Sequence, residues 1–520
     1  MKLAVFVIAL LVLPFAYAQE YAPGELIVKV KQNSVSTQLS SFIPGYLESK
    51  QMFPEKQDSI AKNIGLDRIY VVKVNQKTDI AFLANQVNKN PSVEYAEPNY
   101  ILHASMMPSD PNFWRQWNLH NTGALAGSTA DADIDAPEAF DITTGSSNIK
   151  IAVLDTGVHL THEDLQANIW TNPNEILNGI DDDSNGKIDD INGWDFVASA
   201  SGCESREDCS VEDNDPSDAS GHGTQVSGVA TARMNNGAGI AGVCPNCKII
   251  PIRSCFLTTS LGEACYGTYV ANGIIYSTDL GANILSMSFV FTSPVQVISD
   301  ALTYASAHEK ILIAGAGNDG GSALRYPAAD AGVIAVAATN WNDQRASYSN
   351  YGSWIDLAAP GGITGARSMI YTTQHSVYSG GDYTYSTGTS LATPHVSGMA
   401  GLILSRYSNL TKAQVDYLLV NSVDTITTDQ PIGSGRINAF KAVSWKCSDN
   451  TVLKQCSTNK PKFCDFDASY NLVLVDKCQQ CGCAAGYSCE QESGICYETP
   501  RGGGSPLILK VATIYTQDPL

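Results

Sequence analysis

At 520 residues and a formal net charge of −20, the chain is long enough for several domains and lacks the basic balance of a nucleic-acid footprint. Its 14 cysteines all lie beyond residue 200, and that even count points to disulfides formed in an oxidising compartment. After the first 18 residues, no run approaches the roughly 18 continuous apolar residues of a membrane span, so none is expected.

Residues 1–18 carry Lys2, an apolar core from Leu3 to Phe15, and the small-residue end Ala16, Tyr17, Ala18. These are the three parts of a secretory signal, with an apolar core too short to cross a bilayer. A secreted, extracellular product is expected, with cell-surface association left open. Over 19–108, Glu25 to Lys31 and Arg68 to Val74 read as strands, Ile80 to Val87 as a helix, and Ser92 to Tyr100 as a third strand. This alternation predicts a small α+β domain without a catalytic motif.

From 109 to 446 the pattern changes. Strands predicted at 149–154, 248–253, 283–288, 311–315 and 333–338 alternate with helical stretches, as in an α/β doubly wound parallel sheet. The first strand ends in Asp155, Thr156 and Gly157, which puts a carboxylate at the C-terminal edge where such folds build active sites. His222 stands bare between Gly221 and Gly223, opening a helical stretch to about Thr231. The strand from Ile311 delivers Asn318 into a Gly-rich turn. Ser390 lies among small residues between Gly388 and Gly398, at the start of a buried helix. Singly, these read as a core carboxylate, a helix-start histidine, a loop amide and an N-cap serine. Together they offer an orienting acid, a base, an oxyanion donor and a nucleophile.

The order Asp155-Thr156-Gly157, His222-Gly223-Thr224, Ala316-Gly317-Asn318, then Gly388 to His395 resembles the subtilisin-like (S8) serine peptidases, over about residues 20 to 446. The resemblance implies that Ser390 attacks a peptide carbonyl and His222 moves the proton. Asp155 would hold the imidazole, and the Asn318 amide with the Ser390 N–H would meet the oxyanion. It also implies that the N-terminal domain is a ferredoxin-like propeptide, an intramolecular inhibitor removed by self-cleavage between His103 and Ser109. A permanent N-terminal domain is the alternative. Protein or peptide substrates and a monomeric enzyme are expected. His162 and His395 have structural counterparts in the family.

Substrate contacts are implied at Gly317 and along Ser288, Phe289, Val290 and Phe291, where the family usually has Ser-Leu-Gly-Gly. Val290 and Phe291 add bulk at the pocket rim, so large aromatic P1 groups should fit poorly. Gln225 replaces the second histidine of the usual His-Gly-Thr-His and should affect packing alone. Tyr326-Pro327 matches a cis turn of the family.

Calcium is the expected cofactor. Asp181, Asp183 and Asn185 with Gly186 match the opening of a calcium loop, but position 12 is Asn192 and Asp190 is the candidate substitute. A solvated acidic turn is the alternative. Glu212 to Asp218 form a second acidic cluster. The family resemblance adds a third site, with Asp164 and Asn236 as ligands.

Cys203 and Cys209 would close an acidic loop, and Cys244, Cys247, Cys255 and Cys265 would staple the region of the substrate strand in one of three pairings. Eight more cysteines define a module at 447–500, too small to fold on a core alone, where Cys478, Cys481 and Cys483 could instead begin a zinc site. A linker and tail fill 501–520. Two readings of function remain: an exported, self-maturing serine endopeptidase, or an inactive subtilase-fold binding protein acting through its Cys-rich module.

Overall fold

Ile151, Ala152, Val153 and Leu154 leave the strand Lys150–Asp155 without a polar face, and all four are buried. Around this strand the computed structural model builds a nine-stranded sheet. It describes residues 21–32, 39–55, 58–76, 78–100, 106–260, 262–365, 367–375, 381–458, 460, 462–483, 487–490 and 493–498. From edge to edge the strands are Val423–Asp424, Arg436–Ile437, Leu357–Pro360, Val333–Thr339, Ile311–Gly315, Ile284–Met287, Lys150–Asp155, Lys248–Arg253 and Trp194–Asp195. Every neighbouring pair is parallel except the first. The doubly wound sheet expected from the sequence is present.

Alternate residues of the central strand serve different cores. Ile151 and Val153 pack in one with the helices His222–Thr231 and Thr389–Arg406. Ala152 and Leu154 pack in the other with Gly267–Asp279 and Gln296–Ala307. With both faces covered, polar chemistry is left to the strand ends. The chain winds outward in opposite directions from Lys150–Asp155 and Ile284–Met287, and a crevice opens at their C-terminal ends.

The chain divides into a unit ending at residue 104 and a unit beginning at 105. The first unit is an antiparallel sheet in the order Tyr46–Gln51, Ile69–Val74, Tyr21–Val30, Val93–Tyr100, the strand order of a ferredoxin-like fold. Its core joins Leu26, Val28 and Val72 to Ile80, Leu83 and Val87 of the helix Ile80–Val87, which Asp79 caps by accepting from the Phe82 N–H. The edge strand Tyr46–Gln51 and the helix Ser59–Ile64 were not legible in the sequence, because few of their residues are buried. The signal at 1–18, residues 103–105 of the cleavage window and the tail at 501–520 lie outside the described residues. Among the described residues no helix is long and apolar enough to cross a membrane.

The disulfides are Cys203–Cys209, Cys244–Cys247 and Cys255–Cys265, then Cys447–Cys464, Cys456–Cys481, Cys478–Cys489 and Cys483–Cys496. With every described cysteine paired, the zinc alternative falls, since zinc requires thiolates. Cys244–Cys247 does not staple the substrate strand. It lies in the core against Gly401, where a Cβ would meet the Cys247 sulfur at 2.8 Å, so the helix Thr389–Arg406 passes close over it. In the Cys-rich module the hairpin Lys462–Phe466 and Leu472–Asp476 carries Tyr470, which stacks on Tyr417 with ring centroids 5.2 Å apart.

Arg253, at the end of the strand Lys248–Arg253 and 1% exposed, bridges the buried carboxylates of Asp195 and Glu207. This ties the Cys203–Cys209 loop to the sheet. Arg253→Ala would leave two buried acids without their cation, and we expect a loss of about 3–5 kcal/mol in denaturant unfolding. A loss below about 1 kcal/mol would show that the pair is not a structural tie.

Candidate active site

Asp155 closes its strand at the edge of the crevice, where its Oδ1 accepts from the Thr156 N–H at 2.8 Å and from His222 Nδ1 at 2.7 Å. His222 is the first residue of its helix, and the glycines on either side have separate reasons. Gly221 adopts φ +102°, and a Cβ at Gly223 would lie 2.0 Å from the Gly157 carbonyl oxygen. The helix therefore starts hard against the strand end that carries Asp155.

Behind the histidine, Asp218 is fully committed to this helix start. It accepts from the Gly221 N–H at 2.7 Å, the Thr224 N–H at 2.9 Å and the Thr224 hydroxyl at 2.6 Å, and from the Thr156 hydroxyl at 2.9 Å. Glu212 pairs with Lys187. The second acidic cluster thus serves as a helix cap and an ion pair, and among the described residues it gathers no metal-like group of carboxylates.

Ser390 is the second residue of its helix, after the N-cap Gly388 at φ +145°. Pro394 follows four residues later and has no N–H, so the Ser390 carbonyl has no helical partner from it. The Ser288 hydroxyl donates to that carbonyl at 3.0 Å, and the Ser390 hydroxyl donates to the Ser288 carbonyl at 3.1 Å. Asn318 follows the strand Ile311–Gly315, and its Oδ1 accepts from the N–H and hydroxyl of Thr389 at 2.9 and 3.0 Å. Its NH₂ is thereby turned away from Thr389. Gly317 supports this turn at φ +96°, where a Cβ would meet Asn350 Nδ2 at 2.8 Å.

Asp155, His222 and Ser390 line one cleft of about 380 Å³, with Ser288, Phe289, Val290 and Phe291 on one wall and Glu263, Ala264 and Cys265 on another. Phe289 and Phe291 meet edge to face at 5.8 Å, Val290 is exposed, and Phe291 bridges to Tyr326 of the cis Tyr326-Pro327 bond. Glu263 was missed in the sequence, as nothing local marks it. Its Oε2 lies 4.0 Å from His222 Nδ1.

Burial alone would discharge the His222 ring. The carboxylates of Asp155, Glu263 and Asp218 prevail, pushing its pKa up to about 10. His395 is the opposite case: buried without a charged partner, it is held down to about 4, with Nδ1 on the Leu391 carbonyl and Nε2 on Asn118. His162 bonds the Asp382 carbonyl and the Asp164 N–H. Gln225 donates to Gln374.

Two places fit a hard cation. Asp164 accepts from Asn236 at 2.7 Å and from the Ile240 N–H at 2.8 Å, while the buried Asp110 beside it leaves Oδ1 without a hydrogen bond. Asp110 was not identified from the sequence because it lies 54 residues from Asp164. An orphaned carboxylate oxygen among oxygen donors fits calcium. In the acidic loop, Asp183 and Asp190 come together with Glu175, their oxygens within 4.8 Å of one another. Asp181 does not join them: it accepts from the Asn185 and Gly186 N–H groups, and Asn185 donates to Asp190. Glu175 takes the place the loop pattern assigned to Asp181, since Ser184 at φ +60° and Gly186 at φ +88° curl the loop on itself.

A model of the subtilase family (peptidase S8) matches residues 146–440, and one of the fervidolysin N-terminal prodomain matches residues 56–99. A thermophilic serine proteinase of a Bacillus species (strain AK1) is 32% identical over 439 residues, covering 82% of this chain and 88% of its own. Thermitase of Thermoactinomyces vulgaris is 37% identical over 313 residues, 60% of this chain and 94% of its own. A solved protease structure from Pseudoalteromonas arctica aligns with a TM-score of 0.54 at 29% identity, covering 65% of this chain and 99% of its own.

Because the His222 pKa is raised above its ordinary 6.5, the stability it contributes is complete below that value and is lost as pH rises through about 10. An NMR titration of the ring should therefore place its transition near pH 10, and Glu263→Gln should lower it. A transition at the ordinary value that Glu263→Gln leaves unmoved would refute this coupling.

Proposed function

Since this chain belongs to the subtilase family and is a serine endopeptidase with a prodomain, we propose that it hydrolyses peptide bonds through Asp155, His222 and Ser390. The observation that carries this reading is the 2.7 Å bond from His222 to a buried strand-end carboxylate, in the same cleft as Ser390. Ser390 Oγ attacks the substrate carbonyl, and His222 takes its proton and returns it to the leaving amine. Asp155 holds the tautomer and stabilises the imidazolium. The amide NH₂ of Asn318 and the Ser390 N–H at the helix start stabilise the oxyanion. Water then releases the acyl group by the same proton path. Only the neutral His222 ring can act as base, so its raised pKa implies activity that climbs with pH through the alkaline range.

The prodomain acts as an intramolecular inhibitor until self-cleavage, and the enzyme is exported in soluble form. Phe289, Val290 and Phe291 narrow the P1 rim against large aromatic side chains. Asp110, Asp164 and Asn236 would hold one calcium ion, and Glu175, Asp183 and Asp190 a second. Calcium would supply the positive charge that keeps Asp110, Asp164 and Asp190 ionised against the burial that raises their pKa values.

Expression of the full chain and its Ser390→Ala variant tests the reading. The wild type should shorten to a mature form that digests casein, and Ser390→Ala should remain full-length and inert. Asn318→Ala should lower turnover by about 10²–10³ with KM nearly unchanged. A folded, calcium-loaded wild type that stays full-length and inert would refute the enzyme reading. Removal of calcium with EDTA should destabilise the protein by about 3 kcal/mol, lowering Tm by several degrees. An unchanged Tm would remove calcium from the account.

A further inference from the structure

Glu263 is the carboxylate in the cleft with a free oxygen. It stands on the strand Gly262–Cys265, which pairs with Cys255–Thr258 so that Cys255 faces Cys265, and a disulfide joins the two. The wall that carries it is therefore tied at its base. Its Oε1 accepts from the Ser220 hydroxyl at 2.5 Å. Its Oε2, at 4.0 Å from His222 Nδ1, lies beyond hydrogen-bond range, and the side chain is 37% exposed. Asp155 is the other acid in the cleft lining, but it is 1% exposed and already bonded to His222. Among the described residues, neither lysine nor arginine lines this cleft.

We infer that Glu263 forms a subsite for a cationic side chain, arginine or lysine, borne by a substrate residue adjacent to the scissile bond. This rests on Asp155, His222 and Ser390 being the catalytic set. One oxygen pinned by Ser220 orients the carboxylate, and the other is presented to the cleft without a donor. A bound peptide strips water from the pair, which strengthens a charge-assisted bond that would be weak in open solvent. The cleft offers no competing cation. A neutral side chain at that position gains none of this, and an acidic one is repelled.

The test is kcat/KM of the mature enzyme for peptide pairs that differ by arginine against citrulline at single positions around the scissile bond. Taking the ratio within each enzyme cancels any effect on His222. The wild type should prefer arginine about tenfold at one adjacent position. Glu263→Gln, which keeps an acceptor for Ser220, should abolish that preference, and Glu263→Lys should reverse it toward citrulline. A wild type indifferent to arginine, or a Glu263→Gln variant that slows both peptides equally, would overturn the subsite while leaving the catalytic reading intact. A wild type that cleaves no peptide would overturn both.

Discussion

The constraint on which the rest depends is that the central sheet is buried on both faces. Ile151 to Leu154 have helices on either side, so no polar group can be built into the body of the strand. Chemistry is displaced to the ends, where Asp155, Ser288 and Asn318 emerge at or just beyond three neighbouring strands. The two helices that begin at this edge bring in His222 and Ser390 at their N-termini, where unpaired N–H groups already favour negative charge.

Two of these elements are locked to each other by a local defect. Pro394 denies the Ser390 carbonyl its helical donor, and Ser288 occupies the vacancy while accepting from the Ser390 hydroxyl in return. A substitution that restored the missing N–H would compete with Ser288 for the same oxygen. The register between the substrate wall and the serine is thus set by one exchanged pair of hydrogen bonds.

Carboxylates supply the other theme, and the net charge of −20 has local explanations. Asp218 is held by N–H and hydroxyl donors at a helix start, Asp195 and Glu207 share Arg253, and Asp164 is held by Asn236 and Ile240. What these arrangements leave over matters more than what they satisfy. The orphaned oxygen of Asp110 fits a cation, and the uncommitted oxygen of Glu263 faces the cleft.

The sequence by itself determined the class of fold and the four chemical motifs. Continuous apolar runs read as buried parallel strands, and Asp155, His222, Asn318 and Ser390 each stand beside glycine or other small residues that mark them locally. It also marked Asp183 and Asp190 as one loop and paired Cys203 with Cys209, because those partners are near in sequence. Tertiary structure decided the rest. Glu175 displaces Asp181, Asp110 joins Asp164, Cys255 takes Cys265, and Glu263 comes to His222. Asp110 and Glu263 meet partners far away in sequence, Cys255 is set apart from Cys244 and Cys247 only by the hairpin it shares with Cys265, and a carboxylate looks the same in sequence whether it caps a helix or faces a cleft.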